Sequence, residues 1–119
     1  MANPKEMLAQ LMQLDGAMCA ALVDYQSGML LESVGSGVDL EVAAAGNTEV
    51  VRAKMKTMKA LNIEGGIEDM LITLTTQYHI MRPVAKHEGL FIYFVLDRAR
   101  SNLAMARRRL LEAESATTL

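Results

Sequence analysis

Few residues in this chain have a type and spacing that could carry out a reaction. Asp97 is the first candidate. It is the only carboxylate within Leu90–Leu111, lodged in LFIYFVLDRARSNLAMARRRLL between an apolar run and a helix-like pattern. A carboxylate there could serve as a general acid. The same position also lets it accept from the free backbone N–H groups at a helix start. It would further offset Arg98 and Arg100, whose charges oppose the positive end of a helix. Capping accounts for Asp97 fully, and it is read as a structural cap. Cys19, His79 and His87 follow. No C-x-x-C or H-x-x-x-H spacing joins them, so no metal site is expected. A Cys–His nucleophile pair would need the fold to bring the two together; the plainer expectation is an inert buried thiol and two partly exposed histidines. VGSGVDLE (Val34–Glu41) has two glycines of a phosphate loop, but the third glycine of G-x-G-x-x-G falls on Leu40. With no Gly-Lys dipeptide there is no Walker A motif. The other carboxylates are scattered over turns and helix surfaces, not paired in an apolar setting that would raise a pKa. No catalytic residue, cofactor or metal is therefore expected, and attention moves to surfaces.

The totals bound what those surfaces can belong to. A chain of 119 residues, 51% apolar, fits one globular domain able to bury a core of its own. A net charge of −2 does not suggest nucleic acid as the main partner. The single cysteine cannot form an internal disulfide and fits a reducing cytoplasm, the location expected. No apolar run reaches the roughly 18 residues needed to cross a membrane, and the N-terminus lacks the shape of a signal peptide. Ten methionines and no tryptophan point to a soft, gap-filled core.

The elements that must position the candidates can be read in order. Asn3 before Pro4 is an N-cap with proline at the first helical position, and Met7, Leu8, Leu11 and Leu14 follow at helical spacing. AMCAALVD (Ala17–Asp24) lacks polar alternation and reads as a strand covered on both faces. After the turn YQSG, MLLESV (Met29–Val34) is its hairpin partner. Asp39 caps a long helix running to about Leu61, with Glu41 in its first turn. Three strands are expected next, at Glu68–Thr76, Tyr78–Val84 and Leu90–Leu96. A last helix is expected over Arg98–Glu114, and a frayed tail over 115–119. The two doubly buried strands belong side by side in the centre, flanked by their hairpin partners. The predicted fold is an α/β (α+β) three-layer sandwich with element order αββαβββα and an antiparallel sheet in the order 2-1-5-4-3. The long helix covers one face and the terminal helices the other. One domain spans 3–114.

That order leaves Glu68–Thr76 at an edge with an uncharged, proline-free middle. Met70, Leu71, Ile72, Thr73 and Leu74 are thus expected to pair with the same strand of a second copy about a two-fold axis, unless a loop covers them. On the long helix Leu40, Ala43, Ala44, Val51, Met55, Met58 and Leu61 should face the sheet. Beside them Gly46, Val50, Ala53, Thr57 and Ala60 recur at steps of four and three, all small or β-branched. Such a strip permits close approach of a second helix, although alanine is also simply a good helix former. Arg52, Lys56 and Lys59 form a basic stripe, either a solvated face or a surface that steers an acidic protein partner.

Two stretches carry a family resemblance. GAMCAALVDYQSGMLLESVG (Gly16–Gly35) resembles the opening hairpin of roadblock/dynein-light-chain domains, and LFIYFVLDRARSNLAMARRRLLEAE (Leu90–Glu114) resembles their closing strand and helix, through Asp97, Asn102, Leu103, Ala106 and Arg107. Arg98 departs from the pattern where many members place proline, which bears on how the helix begins. The resemblance implies a five-stranded antiparallel sheet and homodimerisation through the long helix and third strand. It also implies a non-catalytic role. Members regulate or scaffold small Ras-like GTPases or tether cargo to the dynein motor, and the prokaryotic gliding-motility type acts as a GTPase-activating partner through its helix pair. Carried over, this places a partner surface near Arg52, Lys56 and Lys59; exposed Arg52 or Arg82 is not read as an arginine finger. The expectation is a homodimeric adaptor that binds a small GTPase and modulates its nucleotide cycle. Nucleic acid binding and membrane insertion are not expected. The alternatives are a structural subunit of a motor or multiprotein complex that leaves hydrolysis unchanged, and a small-molecule sensor with a ligand under Met55 and Met58.

Overall fold

The computed structural model describes residues 2–118. Three helices and five strands follow in the order α1 (Pro4–Leu11), β1 (Ala17–Asp24), β2 (Met29–Gly35), α2 (Leu40–Ala60), β3 (Met70–Thr73), β4 (Gln77–Pro83), β5 (Leu90–Asp97) and α3 (Leu103–Ala116). The strands form one antiparallel sheet ordered β2-β1-β5-β4-β3, the order expected from the two uninterrupted apolar runs. Side chains alternate along each strand. Ala20 and Leu22 of β1 and Ile92 and Phe94 of β5 enter a core shared with Met7, Leu8 and Leu11 of α1 and Ala106, Leu110 and Ala113 of α3. Cys19, Ala21 and Val23, with Phe91, Tyr93 and Val95, enter a second core beneath Ala44 and Val51 of α2. Both faces of β1 and β5 are covered, which accounts for their almost wholly apolar runs; the charged residues Asp24 and Asp97 stand at the strand ends.

Local signals set most boundaries. Asn3 accepts from the Glu6 N–H at 2.8 Å while Glu6 returns to the Asn3 N–H, a reciprocal capping box. Asp39 accepts from the Val42 N–H at 3.2 Å and starts α2. Gly35 has φ +83°, and a side chain there would collide with the Met18 carbonyl and Cys19 Cα, so only glycine closes this end of the hairpin.

Three expectations are corrected. Asp97 does not cap the last helix. It still belongs to β5, opposite Gln77, with its N–H donating to the Gly16 carbonyl at 2.7 Å, and among the described residues its carboxylate accepts only from the Ala99 N–H. Residues 98–102 form a turn, and Asn102 is the cap, accepting from the Met105 N–H at 3.1 Å. The third strand is shorter than Glu68–Thr76, because Arg107 holds Asp69 ahead of it and the Leu74 N–H donates to the Gln77 carbonyl to close the next turn. Residues 115–118 are not frayed: α3 runs to Ala116, Thr117 is buried and bridges to Ala2, and the Thr118 N–H donates to the Ala2 carbonyl. Leu119 lies outside the described residues.

Candidate protein-interaction surface

The long helix rests on β1 and β2 through buried Ala44, Thr48 and Val51, with Leu40, Ala43 and Met55 packed beside them. Thr48 was not expected on this face; its hydroxyl donates to the Ala44 carbonyl at 2.7 Å, which lets a polar residue be buried without an orphan donor. Leu61 was expected to face the sheet but is 61% exposed, because it is the C-cap and the chain leaves the sheet there.

Gly46, Val50, Ala53, Thr57 and Ala60 are all partly or fully exposed. A side chain added at Gly46 would meet nothing within 4 Å, so nothing within this chain requires glycine there. Glycine in a helix interior costs about 1 kcal/mol relative to alanine. Thr57 bonds its hydroxyl back to the Ala53 carbonyl at 3.0 Å, which removes the only side-chain donor of the strip from competition. The result is a nearly flat, apolar surface with little side-chain height.

At the sheet edge, β3 runs in regular register with β4, from Met70 opposite Met81 to Thr73 opposite Tyr78. Met70 packs into the core under α2 and Leu71 into the opposite one, whereas Ile72 and Thr73 are exposed. Leu74, also exposed, lies in the turn rather than the strand. The other edge, β2, differs: Leu22 pairs with Glu32 and Val23 with Leu30, leaving Leu31 as a bulge. A bulge and a charge within the strand guard an edge against pairing; β3 has no bulge in its register with β4 and no charged residue between Met70 and Thr73. Arg98, off-pattern in the sequence, donates to the Leu74 carbonyl at 3.1 Å and lies over the Tyr78 ring. It steadies the β3–β4 turn and does not start the helix, a role nothing in its own neighbourhood of sequence announced.

Arg52, Lys56 and Lys59 are exposed along one flank of α2, and none forms an ion pair among the described residues.

The reactive side chains are engaged or neutral. Cys19 and His79 both sit opposite Val95, on either side of β5. Two strand spacings put them roughly 10 Å apart, too far for a nucleophile–base pair. Burial pushes the Cys19 thiol up, away from the thiolate. His79 spans Gln77, at 2.7 Å from Nε2, and the Tyr93 hydroxyl, at 2.8 Å from Nδ1; burial lowers its pKa. The Tyr93 hydroxyl is pushed up to about 12, mainly by burial. His87 is exposed in its turn, where Nδ1 meets the Glu88 carbonyl. No cluster of three metal-ligating side chains exists among the described residues. Beneath Met55 and Met58 lies an open surface cleft lined by Tyr25, Ile63, Ile67 and Glu88, not an enclosed pocket.

No protein-family model matches the sequence, and no curated protein matches it. Solved structures do. Myxococcus xanthus MglB superposes with a TM-score of 0.81 at 19% identity, over 93% of this chain and 88% of that one. A roadblock/LC7 domain from Streptomyces avermitilis gives 0.81 at 12% identity, over 97% and 94%. The gliding protein MglB of Thermus thermophilus gives 0.80 at 18% identity, over 93% and 82%.

Proposed function

We propose that this chain, which has the roadblock/LC7 fold, is a non-catalytic homodimeric adaptor of the cytoplasm that binds a small Ras-like GTPase and modulates its nucleotide cycle. The observation that carries the reading is the exposed strip Gly46, Val50, Ala53, Thr57 and Ala60 standing above a sheet whose one unguarded edge is β3. A two-fold axis beside β3 pairs Met70–Thr73 with its copy and lays the two long helices together above a ten-stranded sheet. Four residues of strand supply few hydrogen bonds, so the helices contribute most of the buried area. The dimer then offers Arg52 and Lys59 from both copies on its outer face, where they attract an acidic partner surface. The likeness to MglB supports a GTPase as that partner.

The experiment is direct. The purified protein is mixed with candidate small GTPases in both nucleotide states, and complex formation and hydrolysis are measured. Binding with altered hydrolysis supports the proposal. Binding with unchanged hydrolysis reassigns the chain as a structural subunit. Absence of binding to any candidate in either state refutes the GTPase reading.

A further inference from the structure

The strip on α2 has the spacing of a heptad seam, and the residues flanking it are the informative ones. With Val50 and Thr57 at one seam position and Gly46, Ala53 and Ala60 at the other, Glu49 and Lys56 occupy the same flanking position, seven residues apart. The two charges are of opposite sign, so the flank complements itself when reversed. In an antiparallel pair of α2 helices, Glu49 meets Lys56 of the second copy. The seam itself is symmetric about the same point, since Gly46 then faces Ala60 and Ala53 faces its own copy.

In the isolated chain Glu49 and Lys56 are exposed and form no ion pair among the described residues, although Arg52 stands three positions from Glu49. Seven residues of helix hold them roughly 10 Å apart, so they cannot pair with each other. Lys56 has no acidic residue three or four positions away; its neighbours there are Arg52, Ala53, Lys59 and Ala60. The helix dipole favours acids in the first turn and bases in the last, which accounts for Glu41 and Lys59 but not for a charge pair in the interior. The opposite flank, Asn47, Lys54 and Leu61, holds a single charge, so no attraction there can choose an orientation.

We infer that Glu49 and Lys56 select a second copy of this chain, in the antiparallel orientation, as the occupant of the helix face. The inference rests on the dimer proposed above and adds what fixes its partner and register. A related chain with a different flank would place like charges together, which is how helix pairs reject wrong partners.

Charge reversal tests this. Glu49→Lys and Lys56→Glu are made separately, and association of each, of their equimolar mixture and of the wild type is measured by sedimentation velocity. Each variant alone sets two like-charged contacts in its dimer and is expected to dissociate about tenfold more readily than the wild type, an effect that shrinks in high salt. Mixed, the two variants restore an attractive pair at both contacts, one with the wild-type polarity and one reversed, and form a heterodimer as stable as the wild type. Far-UV circular dichroism of the single variants is expected to match the wild type, since both positions face solvent. A wild-type dimer with variants of unchanged affinity and no preference for mixing overturns the inference and leaves the dimer standing. A monomeric wild type overturns both.

Discussion

Arg82 Nε lies 2.6 Å from Glu114 Oε1, which joins β4 to the end of α3 across 32 residues of sequence. The pair is 14% and 3% exposed, and the second carboxylate oxygen accepts from the Ala85 N–H at 2.9 Å. One buried carboxylate thus satisfies a guanidinium and a turn amide together. Lys86 of the same turn donates to the Ser115 carbonyl, so the β4–β5 turn and the last turn of α3 form one clasp.

Glu114→Ala leaves that guanidinium and that amide unpaired in a buried setting. The expected loss is about 3 kcal/mol, read as a lower urea midpoint at unchanged slope. Glu114→Gln retains an acceptor and should lose less.

The caps are separable in the same assay. Asn102→Ala should cost about 1 kcal/mol, because it frees the Met105 N–H at the start of α3. Asp97→Ala removes only the bond to the Ala99 N–H in an exposed turn and should cost less. The reverse order would restore Asp97 as the helix cap.

Gly46 carries opposite expectations for the single chain and for the pair. Gly46→Ala should raise the melting temperature of dilute, dissociated protein, by an amount equivalent to roughly 0.5–1 kcal/mol, since open space surrounds the position. Gly46→Phe should leave that fold intact and abolish self-association in sedimentation. A Phe variant that associates as the wild type does would exclude the strip as the contact.

His79 should make stability depend on pH. Burial lowers its pKa in the folded state below 6.5, so the unfolded chain binds the proton more tightly. Stability from this group is complete above pH 6.5 and falls as the pH drops from there toward the folded-state pKa. His79→Gln should remove that part of the decline, measured as the difference between wild type and variant in denaturation at about pH 7.5 and about pH 5.5, on either side of the ordinary histidine range.

How much of this was legible in the sequence follows the range over which each signal acts. The central strands, Ala17–Asp24 and Leu90–Asp97, are recognisable because burial on both faces excludes charged side chains from all but their last positions. From those two strands and the hairpin turns the whole sheet order follows. Asn3-Pro4 and Asp39 mark helix starts because a cap acts within three residues of itself. The small-residue strip of α2 is likewise a matter of spacing along one element.

What only the tertiary structure decided are the pairings that depend on where distant segments meet. Asp97 and Asn102 are five residues apart and both able to cap; the choice between them was made by Gly16 and Gln77, which hold Asp97 in the sheet. The two ends of β3 were set by Arg107 gripping Asp69 before it and by Arg98 reaching Leu74 after it. His79 and Tyr93 became neighbours only when β4 was laid beside β5. Periodicity and capping are properties of a few consecutive residues and are written in their order. A contact across the sheet depends on register, and register is fixed only once every strand has found its place.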